Sequence, residues 1–384
     1  MHIVWVGLLG AVALLWVFEA VAIGRGVLSM PSLDDVQPLP DDLCPPVSVL
    51  VAARDEAEKL PAALDTFLAL DYPSYEVVAV DDRSLDATGE IFRAVAKSHP
   101  RLKLLRIDSL PSGWLGKPHA LEQAFGKSSG EWLVFTDADV HFRPDLLRRS
   151  LALALEKGWD HLTLLGRAKM FNPGEKIAMA FFSLGFLMGV RPWKVSDSRS
   201  TVYAGVGAFQ LIRRGAYEKI GTHRRLAMEV VDDMKLGKLV KEAGIPSGLA
   251  TAGDAVSVHW HAGIGNMILG TTKNFFATTG FRVWVAGLQI LGLLVAFIFP
   301  VVALPFTHGL GRWFDLVAIG VPVIAMGGVC REFGISLSYA LTFPVGALIF
   351  ICMLARSTIV TLWKGGIDWR GTFYPLEELK RGAV

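Results

Sequence analysis

The sequence predicts an α/β domain, a Rossmann-like and mainly parallel sheet covered by helices, with apolar helices at both ends of the chain. Three observations lead there. Between residues 46 and 265, short continuous apolar runs alternate with stretches of helical spacing. Two of those runs end in aspartates, "VVAVDD" and "WLVFTDAD". Outside that region the hydrophobic residues crowd into the first 28 positions and about the last hundred.

Composition agrees. The 384 residues are 52% hydrophobic and 19% charged, whereas average globular chains hold roughly 45–50% and about 25%. The net charge of +2 offers no basic signature, so nucleic acid is not expected as a partner. Cys44, Cys330 and Cys352 show neither CxxC spacing nor an obvious pair. A disulfide framework or zinc cluster is not expected, which fits a reducing compartment for the middle domain.

The chain opens "MHIVWVGLLGAVALLWVFEAVAIGRGV". From residue 3 to 23 only Glu19 is charged, and about 20 apolar residues span a bilayer. No Lys or Arg precedes the run and no small-x-small site follows, which favours an uncleaved anchor over a signal peptide. Arg25 follows the run, so the positive-inside bias places the middle domain in the cytoplasm, on the cell membrane. Glu19 is expected to reach the interface.

Apolar runs return at residues 283–306, 316–329 and 337–363. The first and last are long enough to span. The middle one is short and holds Pro322, so it reads as a span or a re-entrant piece. Three spans would put the C-terminus outside, yet "WKGGIDWRGTFYPLEELKRG" is rich in Lys and Arg, and a cytoplasmic tail is expected. "IAMAFFSLGFLMGV" (177–190) is too short to span and reads as a core or an interfacial helix. The expected organisation is an anchor at 1–28, a linker at 29–45, the α/β domain at 46–280, transmembrane segments at 281–363 and a basic tail at 364–384.

Within the domain, "VSVLVAA", "YEVVAVDD", "LKLLRID" and "EWLVFTDAD" read as strands. "EAEKLPAALDTFLAL", "ATGEIFRAVAKSH" and "KPHALEQAFGKS" read as the helices between them. Strands of continuous apolar character separated by helices mean a mainly parallel sheet buried on both faces. Ligands of such sheets bind outside the carboxyl ends of the strands, where these aspartates emerge.

A single strand-terminal Asp is often a turn former, and Ser84, Asp86 and Thr88 look like turn and N-cap residues. Asp137 and Asp139 flank Ala138, so alternation points both the same way if the backbone stays extended. Two carboxylates at one spot repel unless protonated or bridged by a cation. A hard cation such as Mg2+ or Mn2+ suits carboxylate and diphosphate oxygens together. "HWH" (His259, His261) has alternating spacing like a metal pair but no further ligand nearby, and a structural role is expected. The basic run "RRGAYEKIGTHRR" reads first as a solvated face, with anionic headgroups as the alternative.

"VSVLVAARDEAEKLPAAL", "YEVVAVDDRSLDAT", "GWLGKPHALEQAF", "FTDADV", "GVGAFQLIRRGAYEKIG" and "VVDDMKLGKLVKEAG" follow the order found in family-2 glycosyltransferases of the GT-A fold. With its membrane ends the chain resembles the membrane-bound lipid enzymes of that family. These are the hopene-associated and carotenoid (diaponeurosporenoate-type) glycosyltransferases and, more distantly, ceramide glucosyltransferases. The resemblance covers residues 46–280 and, weakly, "WRGTFY" in the tail.

It implies roles for particular residues. Asp82 would hold the uracil edge of a UDP-sugar, with Glu56 near the ribose or base. Lys117 would lie near the nucleotide or diphosphate. Asp137 and Asp139 match the DxD pair, Asp139 being the surer metal ligand, and residues 205–209 would shape the donor and acceptor pocket. Asp233 would be the general base, with Asp232 replacing the family's usual Glu beside it. The (Q/R)xxRW motif of processive relatives is missing; Lys273 best fits the slot of its arginine, against the diphosphate. One sugar per acceptor is therefore expected.

The implied reaction is an inverting transfer of one sugar from UDP-sugar to a lipid hydroxyl at the membrane, dependent on Mg2+ or Mn2+. Polyprenyl phosphate or a polysaccharide is the alternative acceptor. A non-catalytic nucleotide-binding membrane scaffold is the alternative of another class.

Overall fold

A computed structural model describes residues 2–384. The chain forms two interleaved compact units. One comprises Met30–Lys169, Pro192–His259 and Asp368–Val384; the other gathers the N-terminal helix α1 (His2–Ser29), Met170–Arg191 and Trp260–Ile367.

The first unit is built on a sheet. In chain order it contains β1 (Val47–Ala53), α2 (Leu60–Leu68), β2 (Tyr75–Asp82), α3 (Thr88–Ser98), β3 (Leu102–Ile107) and α4 (Gly116–Lys127). Next come β4 (Trp132–Asp137), β5 (Val140–Phe142), α5 (Leu146–Lys157) and β6 (His161–Ala168). After α6 (Pro173–Val190) of the other unit it resumes with β7 (Gln210–Arg213), α7 (Arg214–Lys219), α8 (Asp232–Glu242) and β8 (Ser247–Val258). The strand order is β3-β2-β1-β4-β7-β6-β8-β5. Strands β3, β2, β1 and β4 are mutually parallel, as β6 is to β8; β7 and β5 run antiparallel to their neighbours.

Alternation along β1 explains the unbroken apolar runs. Val49 and Val51 enter a core with Phe67 of α2 and Phe92 of α3. Leu50, with Val78 and Val80 of β2, faces the opposite core against Leu121 of α4 and Leu236 and Val240 of α8. Both faces are covered, so the strands are apolar along most of their length, and the buried polar side chains they carry, such as Ser48 and Thr136, are hydrogen-bonded. From β1 the chain runs to β2 and β3 on one side and then crosses by α4 to β4 on the other, which makes the ends of β1, β2 and β4 the switch point where such sheets open a crevice.

That rim is locked by an exchange of hydrogen bonds. After β1, the amides of Asp55, Glu56 and Ala57 donate to Ser84 Oγ (3.1 Å), Thr88 Oγ1 (2.8 Å) and Asp86 Oδ2 (3.0 Å). In return, Asp55 Oδ1 accepts from the Leu85 amide at 2.7 Å. The expected turn residues thus serve the loop after β1 as well as their own turn, where Asp86 Oδ1 accepts from the Thr88 amide at 2.9 Å.

Among the described residues, the second unit holds four helices long and apolar enough to cross a membrane: Val4–Ser29, Val283–Phe306, Gly309–Glu332 and Leu337–Lys364. The run around Pro322 is part of one 24-residue helix. Glu19 does not lie free at an interface. It is buried and accepts from Arg191 Nη2 at 2.5 Å, at the end of α6. Pro300 has no N–H to give the carbonyl four residues before it, and that carbonyl, of Ala296, accepts instead from Trp16 Nε1 at 3.0 Å. A bilayer demands such internal satisfaction of backbone groups.

Thr88 is fully buried, so Thr88→Val keeps its shape while leaving the Glu56 amide without an acceptor. The expected loss is about 1–3 kcal/mol of stability, read as a lower melting midpoint of the detergent-solubilised protein.

Candidate functional site

The two aspartates ending β2 do different work. Asp81 is buried and holds the turn, accepting from Arg106 Nη1 (2.6 Å) and the Ser84 amide (3.1 Å). Asp82 is capped by its neighbour, Arg83, whose Nε and Nη2 donate at 2.7 and 3.1 Å. Glu56, on the adjacent loop, accepts from Arg370 of the C-terminal tail. Burial raises the Glu56 carboxyl above its ordinary range while Arg370 pulls it down.

The DxD pair departs from simple alternation. β4 stops at Asp137 and the backbone turns through Ala138 and Asp139 into β5, which pairs with β8 at the far edge of the sheet. The condition of an extended backbone is not met, and each carboxylate finds its own lysine. Asp137 Oδ1 accepts from Lys117 Nζ at 2.6 Å. Asp139 Oδ2 accepts from Lys59 Nζ at 2.8 Å, and that ammonium also reaches the His259 carbonyl at 3.2 Å.

Asp232 and Asp233 open α8, where unpaired amides and the helix dipole favour negative charge. Asp233 accepts from two backbone amides, Gly207 on Oδ2 and Met234 on Oδ1, both at 2.8 Å. Buried Asp232 lies 3.8 Å from both Lys117 Nζ and His223 Nε2, and the other ring nitrogen of His223 is 2.6 Å from the Tyr217 hydroxyl. "GVG" is required by contact: a Cβ on Gly205 would sit 1.8 Å from the Asp233 carbonyl oxygen. One on Gly207 would sit 2.6 Å from Asp137 Oδ2. Gly207 thus lets β4, α8 and the intervening loop bring Asp137 and Asp233 to one place. A small cavity beside Asp233 is lined by Lys117, Thr136, Gly207, His223 and Asp232.

Crowding sets the charges. Burial pushes the Asp233 carboxyl up to about 6, Asp232 adds to the rise, and Lys117 opposes it. Burial also raises Asp137, against the pull of Lys117. For Lys117 burial alone would lower the ammonium, but Asp137, Asp232 and Asp233 outweigh it and raise it.

The first unit therefore brings together Glu56, Asp82, Lys117, Asp137, Asp139, Asp232 and Asp233 on the rim of its sheet. Lys273 belongs to the second unit, where its ammonium donates to Asn274 Oδ1 at 2.9 Å. Among the described residues no three His, Cys, Asp or Glu side chains gather closely enough to hold a metal by themselves. Asp137 and Asp139 nonetheless fit one. They offer hard oxygens and already hold a cation each, and a diphosphate would supply further oxygens. Sequence reasoning missed Lys59, Arg83, His223 and Arg370. Lys59 and Arg370 act across gaps of 80 and 314 positions, which no local pattern spans.

The profile of Glycosyl transferase family 21 matches residues 14–261. Succinoglycan biosynthesis protein ExoO of Rhizobium meliloti is 33% identical over 142 residues, covering 35% of this chain and 39% of that protein. Beta-monoglucosyldiacylglycerol synthase of Nostoc sp. is 37% identical over 105 residues, 27% of this chain and 22% of the synthase. The matched stretches thus span well under half of these relatives' length. Among solved structures, the mannosyltransferase PcManGT from Pyrobaculum calidifontis, in complex with GDP-Man and Mn2+, superposes with a TM-score of 0.55 at 20% identity. That match covers 93% of this chain and 99% of the mannosyltransferase, and it establishes the GT-A-like fold.

Lys117→Met tests the charge balance. An acid whose folded pKa is raised, as for Asp233 at about 6, contributes stability below its unfolded value near ~4 and loses it as pH rises through 6. Without the ammonium the carboxylates rise further. The variant is expected to lose stability at pH 8 and clearly less at pH 5, measured by melting at both pH values.

Proposed function

The chain belongs to glycosyl transferase family 21, and on that premise we propose that it moves one sugar from a UDP-sugar to a lipid hydroxyl at the cell membrane, with inversion. The observation that carries the reading is the Asp233 carboxylate. It is fixed by two amides, raised toward neutral pH, and set on the same rim as the Asp137–Lys117 pair.

The chemistry follows from where charge develops. As the acceptor oxygen bonds the anomeric carbon, its proton passes to Asp233, and the carbon's bond to the diphosphate breaks with its electron pair leaving on the diphosphate. A carboxylate near 6 is a stronger base than an ordinary one yet still ionised at pH 7. No second carboxylate is needed as a nucleophile, so the acceptor enters opposite the leaving group. Asp82 and Glu56 would take the base and ribose, and Lys59 and Lys117 bring positive charge to the diphosphate end. Mg2+ or Mn2+ held by Asp139 and Asp137 would stabilise charge on the leaving oxygens. Lys273 remains a proposed diphosphate contact.

Four apolar helices and the match to a glucosyldiacylglycerol synthase support a lipid acceptor; the motif order of the sequence supports a hopanoid, carotenoid or sphingolipid-like one. The charge around α1 supports a cytoplasmic sheet unit. Its chain leaves at His259 and returns at Asp368, which supports an even number of membrane crossings by the intervening segment. One of the three C-terminal candidate helices then enters without crossing, and the basic tail is cytoplasmic. A green fluorescent protein fused after Val384 is expected to fluoresce in a bacterial host; a fusion dark there but active as a periplasmic reporter would overturn this topology.

The enzyme assay is UDP release in detergent across UDP-sugars, with Mg2+ or Mn2+ and with or without membrane lipid. Lipid-dependent release with one sugar is expected, with an acid limb near pH 6. Asp139→Ala should abolish metal-dependent donor use. Asp233→Asn should keep UDP binding and lose at least about a hundredfold in rate. Wild-type turnover by that variant would remove Asp233 from the base role and favour a phosphate acceptor, which needs no base. Neither release nor UDP binding under any condition would leave a non-catalytic scaffold.

A further inference from the structure

The C-terminal tail ends in a hairpin, β9 (Gly366–Trp369) and β10 (Thr372–Pro375), followed by a short helix, Leu376–Arg381. Its two-residue tip, Arg370 and Gly371, has positive φ at both positions, 49° and 75°. Such turns favour Asn, Asp or Gly at the first position. An arginine held there is strained, and strain of this kind collects where a side chain is needed.

The tip sits on the loop after β1. Arg370 Nη2 donates to Glu56 Oε1, and Nη1 to the Asp55 carbonyl at 3.3 Å. Arg54 Nη1 answers from the other side, donating to Thr372 Oγ1 at 3.4 Å. Further along β10, buried Tyr374 lies close enough to Arg83, the residue that caps Asp82, to interact with it electrostatically. The tail's far end is anchored too. Leu379 is buried, the Val384 amide donates to Glu229, and Lys235 donates to the Val384 carbonyl. Six non-glycine residues have positive φ among the described residues, and three of them, Asp55, Arg83 and Arg370, meet at this corner.

Resting on the donor-site reading above, we propose that the tail hairpin is a clasp on the nucleotide, and that Arg370 binds the donor's nucleoside diphosphate. The two carboxylates expected to take the ribose and base, Glu56 and Asp82, each hold an arginine backed by this hairpin. A neutral ribose or base edge that takes over a carboxylate oxygen releases guanidinium N–H groups within one hydrogen bond's reach of the nucleotide. The rim carries Glu56, Asp82, Asp137, Asp139, Asp232 and Asp233, so a dianionic ligand needs every cation that faces it. A planar guanidinium fork matches phosphate oxygens. The hairpin thus brings an arginine to the donor in a chain without the (Q/R)xxRW motif.

The test uses the full-length protein in detergent, titrated calorimetrically with UDP in the presence of Mg2+. Arg370→Asn suits the left-handed turn and removes the guanidinium without disturbing the hairpin. Its UDP Kd is expected to rise about tenfold or more at low salt, with an unchanged melting midpoint, and the donor KM should rise more than kcat falls. Arg370→Lys should recover part of the affinity. An unchanged Kd overturns the proposal, and so does a tighter one, which would make the contact a plug. Weaker binding that follows a lowered melting midpoint and is not recovered by lysine assigns Arg370 a structural role and also overturns it. Wild-type protein that binds no UDP removes the donor-site reading itself, and the clasp falls with it.

Discussion

Three consecutive backbone amides after β1 hold the site together. Asp55, Glu56 and Ala57 donate to Ser84, Thr88 and Asp86, which stand on the loop after β2 and the first turn of α3. A loop leaving a buried strand carries partly buried donors, and each gains from a partner. Here the donors of one strand end are satisfied by side chains of the next. Glu56 and Asp82 are thereby fixed relative to each other before any ligand arrives, and the tail hairpin has a firm floor on which to rest.

The other half of the rim is held by charge. Five carboxylates, of Asp137, Asp139, Asp232, Asp233 and Glu56, converge where the sheet opens, and two lysines and an arginine from distant segments answer them. The balance is incomplete, and its residue is the raised carboxyl of Asp233. A carboxyl raised toward neutral pH is what remains when a buried acid has one acidic neighbour too many and shares its cation. The glycines at 205 and 207 permit that crowding, because a side chain at either position would collide with the groups it brings together.

The second unit follows a different rule. Apolar surface outside needs no satisfaction in lipid, but polar groups inside do. Glu19 meets Arg191, and the carbonyl orphaned by Pro300 meets Trp16. Phe181 of α6 packs edge-on against Phe297 and Phe350, and glycine at 346 admits it. The short apolar helix thus belongs with the long ones.

Much of this was legible in the sequence. Continuous apolar runs with helices between them dictate a sheet buried on both faces, since no other arrangement removes both sides of such a strand from water. Aspartates at the ends of those runs had to emerge on one rim, because parallel strands end together. The apolar ends had to be helices long and apolar enough to cross a membrane. Periodicity could not say which of two adjacent aspartates points outward. Asp81 turns in to Arg106 and Asp82 stays on the rim because of a partner 25 residues away. Nor could it show that the backbone bends within "DAD", that Lys59 and Lys117 divide the pair between them, or that Arg370 returns across 314 positions to Glu56. Local pattern records how each segment hides from water. Which charges then meet is decided by the closing of the fold, because a buried charge takes whatever opposite charge the topology brings within reach.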